Sequence, residues 1–118
     1  MSVNKHHALR DRTKAFALRV IRMSQALPRN REANVICQQI LRSATGMAAN
    51  YRAAGRSRSK AEFVAKMGVV IEEADETVFW LEMLVESGLM HASKLANLQT
   101  EANELLAIFA ASRRTARD

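Results

Sequence analysis

Four stretches of the chain place apolar residues at alternating steps of four and three, the spacing of one face of an α-helix. The first runs Leu9, Thr13, Phe16, Val20, Met23 and Leu27. Pro28 ends it, because proline lacks an amide N–H and restricts the residue before it. The second runs Ala33, Cys37, Ile40, Ala44, Met47 and Tyr51, then stops near Gly55, which is expected to take the left-handed cap conformation. The third runs Phe63, Met67, Val70, Ala74, Thr77, Leu81 and Leu84. Ser59 and Glu62 stand before it at capping-box spacing, and Gly88 closes it, with Leu89 expected to pack back on Leu84. The fourth runs Leu95, Leu98, Ala102, Leu105 and Phe109 and then frays into Arg113, Arg114 and Arg117. Strand-like alternation is absent from the sequence.

This pattern predicts an all-α fold, an antiparallel up-down-up-down four-helix bundle. A single domain spans 1–118, with helices over about 8–27, 31–54, 60–87 and 93–113. The connections are short, which makes consecutive helices antiparallel neighbours. A seam repeating every 3.5 residues packs at about +20°, the angle of helical bundles.

The third helix is apolar on more than one face. A second row, Val64, Gly68, Ile71, Val78 and Val85, accompanies the seam, with Phe79, Trp80 and Met83 alongside. One seam covers only a stripe of roughly 100°, and monomers rarely expose a large contiguous apolar patch. Val64, Ile71, Val78 and Val85 are therefore the expected oligomer contacts. The small-residue run Ser43-Ala44-Thr45-Gly46-Met47-Ala48-Ala49 offers a place for another helix to approach closely. A wide core that absorbs both rows is the plainer reading of the same residues.

Composition and charge add a partner question. The 118 residues carry a net charge of +6, unevenly distributed. Residues 1–60 hold 13 Lys/Arg against two Asp/Glu, and residues 61–118 hold five against ten. Such halves neutralise each other within or between subunits, and the basic excess also suits a polyanion. Arg12, Arg19 and Arg22 share a stripe of the first helix, with Arg10 and Lys14 on its flank. Arg52, Arg56, Arg58 and Lys60 crowd the turn between the second and third helices. Arg10, Arg12, Lys14, Arg19, Arg22, Arg56, Arg58 and Lys60 are the candidate RNA-facing residues, set against an ordinary solvated surface, and the two groups need not be contiguous. Aromatic residues that would stack on bases are missing from both groups, so binding would engage the backbone and be salt-sensitive. Cys37, the single cysteine, reads as a buried thiol in a reducing compartment. No apolar stretch reaches the ~20 residues of a membrane span, and Met1–Arg10 lacks the apolar core of a signal peptide. The expectation is a cytoplasmic protein.

Chemistry is sparse. Metal-binding bundles need inward carboxylates with Glu-x-x-His on two helices. Glu72, Glu73 and Glu76 have no histidine three residues on, His6 and His7 sit in what reads as a flexible N-terminus, and His91 falls in a loop. Ser57-Arg58-Ser59-Lys60 matches Ser-x-x-Lys, but a cap explains Ser59 and the companion motifs are absent. Neither an enzyme nor a metal, a cofactor or a small-molecule substrate is indicated. Arg42, Asn50, Glu73 and Glu76 form an expected structural polar cluster. In an antiparallel hairpin turning near residue 56, Arg42 is level with residues near 70–74 and reaches Glu73, and then Glu76. A partly buried pair of this kind fixes register more than it stabilises; an exposed pair is the alternative.

The run Leu41-Arg42-Ser43-Ala44-Thr45-Gly46-Met47-Ala48-Ala49-Asn50-Tyr51 resembles the four-helix-bundle proteins encoded in intervening sequences of large-subunit ribosomal RNA genes. Phe63, the block Glu72-Glu73-Ala74-Asp75-Glu76-Thr77 and Trp80-Leu81 extend the resemblance, as do Phe16-Ala17, Val20-Ile21 and Leu27-Pro28. Together these cover the first three helices in order; the fourth matches by length and pattern. The chain departs from the family at Arg52-Ala53-Ala54, where an acidic residue is usual, and at His91, which stands where a small polar cap is usual. The resemblance implies a cytosolic bundle that forms homopentamers, related to accessory proteins of retroelements that bind RNA. The expected function is a non-enzymatic homo-oligomeric scaffold or RNA-associated accessory. A protein–protein adaptor using the apolar face of the third helix, with no nucleic-acid role, is the alternative.

Overall fold

The structure, a computed structural model, describes residues 3–118; Met1 and Ser2 lie outside the described residues. Four helices make up the chain: α1 (Val3–Ser24), α2 (Arg31–Ala54), α3 (Lys60–Glu86) and α4 (Ala92–Arg117). Each neighbour in sequence is a neighbour in space, and α1 closes the ring against α4 through the thinnest of the four contacts. Contacts along the helices set the directions. His6 at the start of α1 stacks on Tyr51 near the end of α2, Gly46 meets Glu73 while the earlier Ser43 meets the later Thr77, and Arg113 near the end of α4 reaches the Val64 carbonyl near the start of α3. Consecutive helices therefore run antiparallel, and the domain is an all-α four-helix bundle.

The seams read from the sequence form the core. Phe16 and Val20, Ile40 and Met47, Met67 and Val70, Leu81 and Leu84, and Leu95, Leu105 and Phe109 are all essentially sealed from solvent. Three of the four helix N-termini follow capping chemistry directly, that of α4 through the His91 side chain. The Asn30 side chain accepts from the Ala33 amide, and Ser59 accepts from the Glu62 amide at 3.1 Å, each satisfying a first-turn N–H left without a helical partner. Gly88 adopts φ +78°, and the chain then folds back so that the Met90 amide donates to the Leu84 carbonyl. Met90 rather than Leu89 is the residue buried there.

Four expectations are corrected. Helix α1 starts at Val3, not near residue 8, so His6 and His7 are helical and His6 is packed. Helix α4 continues to Arg117 instead of fraying at Arg113, whose Nε donates to the Val64 carbonyl at 3.0 Å. Gly55 is right-handed (φ −66°, ψ −13°); a Cβ there would have to displace the His6 imidazole, which occupies that space. Cys37 is half-buried rather than buried, with its side chain against the edge of the core.

Candidate functional site

The basic residues of α1 and of the α2–α3 turn meet at one end of the bundle. Because α1 and α2 are antiparallel, Arg10 and Lys14 come alongside Arg52. These three cations line a shallow groove of about 460 Å³ whose floor is Ala48 and Ala49. Small side chains on α2 let the groove form; the positive charge comes from both helices. Asp11 lies at its edge, 3.5 Å from Arg10. Arg56, Arg58 and Lys60 follow in the adjoining turn and the first residue of α3, all exposed.

Arg12 does not join this surface. Its Nε donates to Glu101 Oε2 at 2.7 Å, and its Nη2 donates to Glu101 Oε1 at 2.6 Å and to Glu104 Oε2 at 2.8 Å. The hydrogen bond from Arg12 and its charge hold the Glu101 carboxyl below the usual glutamate range, and those to Glu101 push the guanidinium of Arg12 up. Arg12 thus ties α1 to α4. Arg19 and Arg22 lie further along α1, away from the groove, with Arg22 exposed and Arg19 half-buried.

The polar cluster of α2 and α3 is looser than expected. Arg42 contacts Glu76 at 3.4 Å, and both side chains are close to half exposed or more. The expected contact to Glu73 is not made. Partners between these helices sum to 118–120 rather than 112–116, as Arg42–Glu76, Ser43–Thr77 and Gly46–Glu73 show. Side chains on both helices lean toward their own N-termini, so a partner is met later along α3 than backbone level implies. Asn50 turns inward on its own helix and donates to the Gly46 carbonyl at 2.8 Å. Glu73 lies against Gly46 with one carboxylate oxygen out of solvent and without a hydrogen-bond partner. Desolvation, followed by the charge of Glu76, raises its pKa, against the opposing pull of Arg42. The buried polar link between the helices is instead Thr77 Oγ1 to Ser43 Oγ, 2.9 Å apart; Ser43 in turn reaches the Ile40 carbonyl.

Helix α3 presents its surplus apolar surface differently from the expectation. Val64, Ile71, Val78 and Val85 are half-buried, and the last three pack against the core of their own chain. Gly68 and Val64 lie under Arg113 of α4, which shows that this row faces α4. The open side carries Val69, Phe79 and Met83, which are 40%, 49% and 36% exposed. Phe79 lies nearly opposite the seam of Val70, Ala74, Thr77 and Leu81 at ~100° per residue. Its ring stands edge-on to Trp80, centroids 4.8 Å apart. Val35, more than half exposed, precedes Arg42 on α2 by seven residues, as Met83 follows Glu76 on α3 by seven. The Arg42–Glu76 pair therefore places Val35 toward the same end of the patch as Met83.

Among the described residues there is no group of three or more His, Cys, Asp or Glu able to hold a metal ion. His91 caps α4 by accepting from the Ser93 amide through Nδ1, at 3.2 Å. The Ser57 hydroxyl, in the Ser-x-x-Lys match, makes no hydrogen bond to Lys60. No helix among the described residues is long and apolar enough to cross a membrane.

The sequence profile described as "23S rRNA-intervening sequence protein" matches residues 5–111. The chain belongs to this family. None of the curated proteins matches it. A similar solved structure comes from Bacteroides thetaiotaomicron, described as a protein with unknown function from the S23 ribosomal protein family. It aligns with a TM-score of 0.85 and 27% identity over 93% of this chain and 98% of that one. Family membership agrees with the resemblance carried by Leu41–Tyr51 and by the Glu72–Trp80 region, and the family match spans most of α4 as well.

Proposed function

We propose that the protein is a non-enzymatic scaffold that assembles with copies of itself and presents a basic end to RNA backbone. The observation that carries this reading is the outward side of α3, where Phe79 and Met83 lie open with Val69. Val35 continues the patch on α2. Acidic residues surround it: Glu72, Asp75, Glu76 and Glu82. Its complement lies on α1, where Leu18 is 43% exposed and Arg19 and Arg22 stand beside it. A contact between unlike surfaces of successive copies is heterologous, and such contacts close into rings when the rotation permits. Five copies is the number the family resemblance implies. Arg10, Lys14 and Arg52 in the groove, with Arg56, Arg58 and Lys60 beyond it, stay outside this contact and supply the salt-sensitive phosphate contacts.

Light scattering tests the assembly. The expected result is a particle several times the 13.2 kDa chain mass. It breaks down in Phe79→Lys, in Leu18→Glu and in Glu76→Arg or Arg22→Glu alone, while Glu76→Arg combined with Arg22→Glu restores it. A wild-type monomer at ~100 µM, where most specific homo-oligomers are formed, would overturn self-assembly and favour an adaptor using the α3 face for another protein. For the RNA arm, retention of an unstructured RNA at 50 mM salt should fall steeply by 200 mM, over which several phosphate contacts cost orders of magnitude in affinity. It should also weaken on replacing Arg10, Lys14 and Arg52. Salt-insensitive or undetectable retention removes the RNA role.

A further inference from the structure

A second cavity lies at the end of the bundle where α1 begins, α2 hands over to α3, and α4 finishes. Its volume is about 870 Å³, within the ~300–1,000 Å³ of small-molecule sites. It exists because α1 and α4 form the thinnest contact of the ring, and the first turns of α1 leave space against the last turns of α4. Most of its wall is apolar. Phe63 of α3 and Ile108 of α4, both half-buried, and Ala54 of α2 form the floor, while Ala111 and Ala116 leave room on the α4 side. Val3, largely exposed, is the apolar lip.

The polar part of the wall has one sign. Lys5 and Lys60 contribute cations, and His6 and His7 contribute imidazoles; no carboxylate lines the cavity among the described residues. Ser57, also in the wall, has its hydroxyl oxygen out of solvent and without a hydrogen-bond partner. A buried hydroxyl left unpaired is costly, and in a cavity it is a donor awaiting an acceptor. His6 is held in place from below: one face stacks on Tyr51 at 4.6 Å, and Gly55 yields the space beside it. Burial, then His7 and Arg10, lower the His6 pKa, and the sign preference of the cavity comes from its two lysines and the lack of a lining carboxylate.

We propose that this cavity binds a small amphipathic anion: a hydrocarbon or aromatic body seated on Phe63 and Ile108, with one carboxylate at the Lys5, Lys60 and Ser57 side. The site is independent of self-assembly, because it lies at the opposite end of α3 from Phe79 and Met83. Loss of one function leaves the other readable.

The test uses decanoate as the probe and decyltrimethylammonium, of equal tail and opposite charge, as the control. Calorimetry on the wild-type assembly should give one decanoate per chain with sub-millimolar Kd, and at least tenfold weaker binding of the cation. NMR should place the shifts at the His6 imidazole, Phe63 and the Ile108 methyls. Ala111→Trp, which fills the cavity, should abolish binding while leaving helicity and particle mass unchanged; Thr115→Trp serves if that variant does not fold. Lys60→Gln should weaken decanoate about three- to fivefold, the effect of one partly solvated charge contact. Equal binding of both tails, decanoate binding that survives a filled cavity, or shifts confined to Phe79 and Met83 would each overturn the proposal.

Discussion

Removing the Arg12–Glu101 clamp should separate a real inter-helix tie from an ordinary surface ion pair. The link joins α1 to α4, where the ring of helices has least packing. Exposed pairs contribute about 0.2–1 kcal/mol, and fully buried pairs cost about 3–5 kcal/mol when one partner is lost. This pair lies between those limits: the Glu101 side chain is 16% exposed, that of Arg12 is 39%, and the geometry is bidentate. A coupling energy of about 1–2 kcal/mol is therefore expected from a double-mutant cycle on Arg12→Ala and Glu101→Ala. The single variants should differ. Without Glu101, Arg12 keeps Glu104 at 2.8 Å; without Arg12, Glu101 is left beside Glu104 with Arg19 as the remaining cation acting on it. Arg12→Ala should thus be the more damaging of the two.

The same pair makes a pH prediction with a fixed sign. The Glu101 carboxyl is depressed in the folded chain, so its contribution is complete above the unfolded glutamate pKa of ~4.3 and is lost as pH falls through the lower folded value. Urea denaturation at fixed protein concentration should therefore show wild type and Glu101→Gln well separated at pH 7 and converging below pH ~4. A coupling below about 0.3 kcal/mol, the additivity error of such cycles, or a gap that persists unchanged into acid, would refute the clamp.

Three further outcomes follow from contacts already described. Glu73 has a raised pKa and an unpaired buried oxygen, so its charge opposes folding as pH rises above the unfolded glutamate value; Glu73→Gln should stabilise by about 0.5–1 kcal/mol at pH 7 and have no effect near pH 3 by chemical denaturation. Gly55→Ala sits at a helix-compatible φ and ψ, where the change alone would stabilise by about 0.4–1 kcal/mol. It should instead destabilise in wild type by displacing His6 and become neutral or favourable in a His6→Ala background, as read by thermal midpoints. Thr77→Val removes the cross-helix hydroxyl at 2.9 Å from Ser43 and should cost about 1 kcal/mol, with Ser43→Ala in combination costing less than the two singles added.

The core was legible because one residue in three or four had to be apolar along each helix, and each helix kept that rhythm. What the rhythm could not carry was identity of neighbours. It showed that α3 is apolar on two flanks, but only the placement of Arg113 over Val64 and Gly68 assigns one flank to α4 and leaves Phe79 outside. Helix ends failed for the same reason. The segment Val3–Ala8 has no seam of its own, and its helix is anchored by His6 on Tyr51, a contact between residues 45 apart. Arg12 read as a spare cation because its carboxylate lies 89 residues away. The groove of Arg10, Lys14 and Arg52 was within reach of the sequence, since antiparallel α1 and α2 bring residues summing to about 62 level.

The unequal charge of the two chain halves takes on a spatial meaning once the helices are in place. A basic α1 and an acidic α3 occupy opposite corners of the ring, out of contact with each other. Little of that opposition is neutralised across the bundle; the Arg12 clamp to Glu101 is the main internal tie, and Arg42–Glu76 is exposed. Two unlike charged faces on opposite sides of a rod measuring 45 × 22 × 20 Å favour head-to-tail contacts over self-complementary pairing, because a two-fold contact would set like charges against like. The apolar residues reinforce that choice. Leu18 lies among arginines and Phe79 among glutamates, so each apolar centre is bordered by the charge that its counterpart's border requires. Charge reversal on one face alone should therefore disperse the proposed assembly, and reversal on both should rebuild it, an outcome that a purely apolar contact has no reason to produce.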